Sequence, residues 1–510
     1  MVLAAVASIS ACGTSEQKPV EPPEDDTVPQ VETPPADGPQ LVATRPGVVV
    51  RERPSASGKV LGTLRAGGRV ARAAVPYSKK GCPGGWYPVR PRGFVCAGEE
   101  ASIDLESAIA RQLATAPDLG RAMPYRYSRV RKGDAVVYRR LPSESEQLAA
   151  EPDLKRQKPL EVKRIGVSAN DVPLDDQGMP KGPPVLLANA DGVGADGYRT
   201  TESFFLFPDA QPPVPPLGTG AELRNGVEDT QVLRRDSGVA ILRSFPVGEG
   251  PEARRFGLMP DGRFIPIDRL VPAAGTAWHG ISLSDGALPV AFALRVGVLA
   301  WKLDKDKATS LDEEFEPQQA ITLSGRFRTI NSQMFYCTRD NEEQWVRAKD
   351  IILIPKRNKY PDFATDGQKW IDVSLANQTL TAFVGHKPVF ATLVSSGQDR
   401  LGDPTQGPAT VQGVFKLRSK HVTRDVDPKE AGDMFTLTEV PWVAEFAEGV
   451  ALTGSYWLTD FGEAQSYHNV AMAPVDAHWL WTWADPQVPE GWHSVMIEEN
   501  GPNTMVYVHR

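Results

Sequence analysis

Over most of the chain, apolar and polar positions alternate in short runs broken by glycine, proline and asparagine, which is the pattern of half-buried strands. It is clearest near the C-terminus. Trp370-Ile371-Asp372-Val373-Ser374-Leu375 alternates, Ala376-Asn377-Gln378 turns, and Thr379–Phe383 returns. Gly385-His386-Lys387 turns again before Pro388–Val394 and Ser395-Ser396-Gly397. This spacing predicts a three-stranded meander with tight turns. A loop, Asp399–Pro408, then leads to another apolar run, Ala409–Phe415.

Upstream, Val48–Val50, Val60–Leu64, Gly85–Val89 and Gly93–Val95 have the spacing of a small barrel. The aromatic–turn–aromatic motif recurs at Phe256–Ile265 and Phe335–Val346, a degenerate internal repeat. Helical periodicity is sparse. Ile103–Thr115 is one candidate, and Ala477–Trp481 is a second, with Asp476 placed to cap it. The class is therefore mainly β.

The two ends of the upstream half depart from this pattern. Residues 1–12 (MVLAAVASISAC) are small and apolar, whereas 13–40 are rich in proline and acid and have almost nothing to bury, which predicts a disordered, extended spacer. At 510 residues, with 41% apolar and 24% charged positions, the rest should fold as several domains. The net charge of −8 argues against nucleic acid as a partner, which needs a basic face. The basic run Tyr125–Arg140 is read as a solvated strand face. Four cysteines and seven histidines show no metal-ligand spacing, so neither a metal nor another cofactor is expected. Cys337 has no partner and should be a buried thiol. No apolar run is long enough for a membrane-spanning helix.

Three resemblances sharpen this. The first twelve residues, ending Ile9-Ser10-Ala11-Cys12, resemble a bacterial lipoprotein signal, which implies lipidation of Cys12 and anchoring in the periplasm, at the inner or the outer membrane. The order VVVRERPSASGKVLGTLRAGGRV…GGWYPVRPRGFVC resembles the bacterial Src-homology-3-like domain and places one at 41–101. Within it Cys82 and Cys96 flank a hairpin, and an oxidising envelope would make them a disulfide. Its aromatics Trp86, Tyr87 and Phe94 are read as core. Degenerate modules of the same kind are expected at 122–272, with an insertion at 152–194, and at 276–356.

The third resemblance covers 366–510. WIDVSLANQTLTAFVGHKPVFATLVSSG, ATVQGVFKL and the later GSYW, DFG, APVDA and GWHSV segments are similar to the L,D-transpeptidase catalytic domain, a β-sandwich. In that family a cysteine thiolate attacks a peptidoglycan stem peptide, an imidazole lowers its pKa, and a neighbouring glycine opens the backbone to the oxyanion. The frame is present in Gly454, Tyr456, Trp457, Phe461, Gly462, Ser466, Val470, Met472, Asp476 and Ala477. The reacting groups are not. Thr453 stands at the histidine before Gly454, Tyr467 at the loop histidine, His468 at the glycine, Asn469 at the cysteine and Ala471 at the Arg/Asn place.

An amide nitrogen is no nucleophile, so the resemblance implies a pseudoenzyme that binds peptidoglycan, its stem peptides or an envelope protein. Tyr456, Trp457 and Ser466 are its expected contact residues. One alternative is an active transpeptidase with a relocated nucleophile, Ser466 beside His468; another is a structural spacer or partner-binding scaffold. His468 at a glycine place predicts an unusual backbone. Trp479, Trp481, Trp483 and Trp492 are read as packing of the sandwich, and His421, His478, His493 and His509 as surface or satisfied core histidines.

Overall fold

The computed structural model describes residues 28–131, 133–154, 164–165, 167–182, 199–200, 231–248, 253–283, 287–426 and 435–510. Cys12, the start of the spacer and much of the 152–194 insertion lie outside the described residues.

The predicted meander forms as strands Lys369–Ser374, Thr379–Val384 and Lys387–Leu393. Met505–His509 joins its edge in parallel, and Gly413–Lys416 extends it. A second layer is built from Ser494–Met496, Ser419–Val426, Leu437–Ala447, Val450–Gly454 and Val470–Met472. Val373, Leu380, Phe390, Val422, Trp442, Leu452, Trp479 and Val506 fill the space between, so the sandwich core is continuous. Ile281–Ser282 pairs with Lys387–Leu393, so a stretch expected in the 276–356 module completes the C-terminal sheet.

Strands Val48–Arg51, Val60–Leu64, Trp86–Pro88 and Phe94–Cys96 form in the 41–101 region, and Cys82 and Cys96 are joined by a disulfide with Cα atoms 5.9 Å apart. This region is sewn to the C-terminal layer. Ser494–Met496 pairs with Val60–Leu64 on one side and with Ser419–Val426 on the other. Trp492 packs among Leu41, Leu61, Tyr87 and Val95 and donates its indole N–H to the Arg90 carbonyl at 2.7 Å. Trp492 is therefore core of the 41–101 region rather than of the sandwich. Gly62 makes the junction possible, because a Cβ there would lie 2.2 Å from the Ser494 carbonyl oxygen.

The 126–272 region contributes strands Arg126–Val130, Gly238–Ile241, Arg254–Leu258, Phe264–Pro266 and Leu270–Pro272 around Val130, Val137, Val239 and Ile265. Its buried Glu151 is satisfied by Arg254, Arg269 and Tyr138. The basic run is not a plain solvated face: Arg126 is exposed, but Tyr125 and Tyr127 alternate inward and are buried. The 276–356 region is a twisted antiparallel sheet over Ala291, Val298, Leu323 and Val346, with Cys337 buried as a free thiol. Of the two expected helices, the first is the short Ala108–Gln112 and the second runs Pro474–Trp483.

Candidate functional site

Val450–Gly454 and Val470–Met472 run parallel, with Thr453 opposite Ala471 and Gly454 opposite Met472. This pairing sets Thr453 and Ala471 side by side. Asn469 lies just before the second strand. Its side-chain oxygen accepts the Ala451 N–H at 2.8 Å, so the carboxamide closes a backbone gap that a thiol would leave open. Thr453 is 2% exposed and Asn469 6%. Ala471 is held between its strand partner and Ser395, exchanging backbone hydrogen bonds of 2.9 and 2.8 Å with it.

The loop before Asn469 is fixed along its length. Ser466 N–H donates to Ser396 O and Ser466 O accepts from Gln398 N–H. Gln465 N–H donates to Ser395 Oγ at 2.9 Å. Thr410 links the two sides, taking the Gly397 N–H and donating to His468 O at 2.8 Å. His468 Nδ1 donates to Ala409 O at 3.0 Å, and Tyr467 meets the imidazole edge to face. The ring is thus aimed at Ala409, and among the described residues no hydrogen bond joins it to Ser466. The left-handed residues do not include His468, so the unusual backbone expected there is absent. The residues that do carry positive φ nearby are Gln378, Glu439 and Trp442.

Two expected contact residues prove to be packing residues. Tyr456 is 2% exposed, stacks on Tyr127 with ring centroids 4.3 Å apart, and donates to Thr438 O at 3.2 Å. Trp457 is half-buried, edge-on to Tyr456, against the same cluster. That cluster unites Tyr125, Tyr127 and Tyr138 of the 122–272 region with Val443, Ala451 and Tyr456 of the sandwich. Tyr127 also donates to Glu439 O at 2.7 Å, and Trp442 Nε1 reaches Ala122 O. Gly238 allows the fit, since a Cβ there would lie 2.1 Å from Tyr456 Oη. The sheet face that carries Ala451 is therefore roofed by the chain's own aromatic side chains.

Asp476 is not a helix cap. The cap position of Pro474–Trp483 is Ala473, and Asp476 points inward, fully buried, accepting the Gly280 N–H through both oxygens (3.0 and 3.1 Å) and the Thr392 hydroxyl. Burial pushes its pKa up to about 7, against the pull of those donors. Trp479 stacks between Phe390 and Trp483, and Trp481 packs on Trp442. His478 donates to Leu119 O and is held neutral by burial. His509 lies beside Asp372.

A polar cluster that no local motif announced joins separate strands and a loop of the C-terminal region. The Thr423 hydroxyl bonds Glu439 and lies 3.0 Å from His493 Nε2. Burial pushes the Glu439 carboxyl up to about 8 and the His493 imidazole down to about 4. Its members come from distant parts of the chain, so only the tertiary fold reveals it.

Residues 368–508 match the family model described as the YkuD L,D-transpeptidase catalytic domain. Among solved structures, the catalytic domain of an Enterococcus faecium L,D-transpeptidase is 20% identical and covers 28% of this chain and 98% of its own, with a TM-score of 0.21. An L,D-transpeptidase from Mycobacterium smegmatis is 15% identical, covering 36% and 77%, with a TM-score of 0.22. One from Stackebrandtia nassauensis is 21% identical, covering 29% and 63%, with a TM-score of 0.20. No curated protein matches the chain.

Proposed function

We propose that the chain is a cell-envelope protein whose L,D-transpeptidase-type domain holds peptidoglycan stem peptides, or an envelope protein, without transferring an acyl group. Residue 469 carries the reading. Acyl transfer there requires a nucleophile with a base beside it, and the position holds an amide whose oxygen is committed to Ala451 N–H. The base position is a buried threonine, and the loop imidazole is committed to Ala409. A Ser466–His468 pair gains no support from this geometry, because a general base must reach the hydroxyl it activates. Peptidoglycan as the ligand class follows from the family match at 368–508 and not from any bound group. Lipidation of Cys12, with the acidic, proline-rich spacer after it, would hold the folded part in the periplasm at a membrane surface.

Two measurements test this together. Intact mass after incubation with a carbapenem and with donor stem peptides should show no adduct. The folded part should co-sediment with purified sacculi at moderate salt, or crosslink to an envelope protein. A covalent adduct refutes the non-catalytic reading, and failure of both co-sedimentation and crosslinking refutes the binding reading.

A further inference from the structure

A cavity of about 290 Å³ opens where the Arg65–Arg69 turn, the 114–119 segment and Trp492-His493 meet. Arg65 lines it. Its Nη1 donates to the Ala66 and Leu113 carbonyls at 2.7 and 3.0 Å, and among the described residues no carboxylate forms an ion pair with it. Guanidinium stays charged in proteins, and this one is half-buried without a counter-charge, which leaves its remaining N–H groups available to an anion. The acid that acts on it electrostatically, Glu439, is kept protonated by its own burial and does not neutralise it at pH 7.

A second observation is independent of the first. The Tyr125 hydroxyl, near enough for the Arg65 charge to influence it, is buried with no hydrogen-bond partner among the described residues. Such orphaned donors are rare in folded proteins; Tyr125 does not itself line the cavity and bears on it only through Arg65. The remaining surroundings set the ligand's shape. Trp492, Val422, Pro117 and Leu119 are apolar, and Arg69 stands at the solvent side with Nη2 on Leu105 O. The volume lies at the small end of ligand cavities.

We propose that this cavity is a binding site for a small monocarboxylate with a short apolar body, the carboxylate lying on Arg65. A peptide C-terminus and a free short-chain acid share that chemistry. The site does not depend on residues 453–471.

Calorimetric titration of the full chain with N-acetylalanine, propionate, N-acetylalaninamide and inorganic phosphate tests it. Saturable binding of one or both carboxylates is expected, with no heat from the amide or phosphate; the tighter of the two acids identifies the source. Arg65→Met should weaken binding about tenfold or more, the loss expected for a charge-assisted pair. Tyr125→Phe, which keeps the ring, should weaken it less. Should Arg65→Met fail to fold, Ala116→Trp, introduced from an exposed lining position, is expected to fill the cavity and abolish binding without altering the unfolding temperature. The proposal is overturned if neither acid binds, if the amide or phosphate binds equally well, or if Arg65→Met and Ala116→Trp (or Ala116→Trp alone, should Arg65→Met not fold) leave the affinity unchanged.

Discussion

Two places among the described residues where different regions of the chain meet have been treated in opposite ways. On the sheet face beside Thr453 and Asn469, the space is filled: Tyr127 stacks on Tyr456, Gly238 gives way to the tyrosine ring, and Asn469 completes a backbone ladder. At Arg65 the space is open, the half-buried guanidinium has no carboxylate partner and the buried Tyr125 hydroxyl near it has no hydrogen-bond partner among the described residues. Filling removes the desolvation cost of idle polar groups and turns a site into a joint. Leaving a guanidinium unpaired has no structural benefit, because a hydrophobic side chain of similar size would be at least as stable there. The difference separates a filled joint between regions from an open cavity.

The largest expected effect comes from breaking the filled face. Tyr127→Ala removes a fully buried ring and its bond to Glu439 O, and should cost about 3–5 kcal/mol in chemical unfolding. If the loss is below about 1 kcal/mol, the roof is not packed as described.

Beneath that face, Asp476 gives a pH signature of nearly the same size. Its folded pKa, about 7, lies above the ordinary carboxyl value, so the folded state holds the proton more tightly than the unfolded chain. Stability from this group is therefore fully present below about pH 4 and is lost at about 1.4 kcal/mol per pH unit up to about pH 7. The difference between wild type and Asp476→Asn, which has no such proton to lose, should fall across that window and level off above it. A difference that stays flat or rises there contradicts the assignment.

Asn469→Ala comes next. It orphans the Ala451 N–H and should cost about 1–3 kcal/mol, with no effect on carboxylate binding at Arg65. Smallest is Ser466→Ala. Its loop is held through backbone bonds, so unfolding should shift by no more than about 0.5 kcal/mol, and sacculus binding should persist. A loss of some covalent activity in this variant would restore the relocated-nucleophile reading.

What the sequence made legible was local. Turn residues and period-two alternation placed the 369–393 meander and four strands of the 41–101 region, while Gln40–Ala43, Arg69–Ala71 and Ala101–Ser102 went unread; the patterns that were read depend on neighbours a few residues apart. The substituted positions 453, 467–469 and 471 could be aligned with their frame for the same reason. What escaped depends on contacts across the chain. Nothing around Trp492 says that it belongs among Leu41 and Tyr87, since that depends on Gly62 admitting Ser494 hundreds of residues away. Asp476 looks like a cap locally and becomes a buried acceptor only through Gly280 and Thr392. The bare glycine place at His468 suggested strain, but the loop takes an ordinary backbone there, with His468 anchored on Ala409 and Thr410.

The most direct test is the chemical reach of position 469. In Asn469→Cys, the new thiol should react with iodoacetamide under native conditions as slowly as the buried Cys337, compared peptide by peptide in the same digest, and both should react once the chain is unfolded. Rapid labelling at 469 while Cys337 stays protected would mean that position 469 faces an open cleft, contradicting the account.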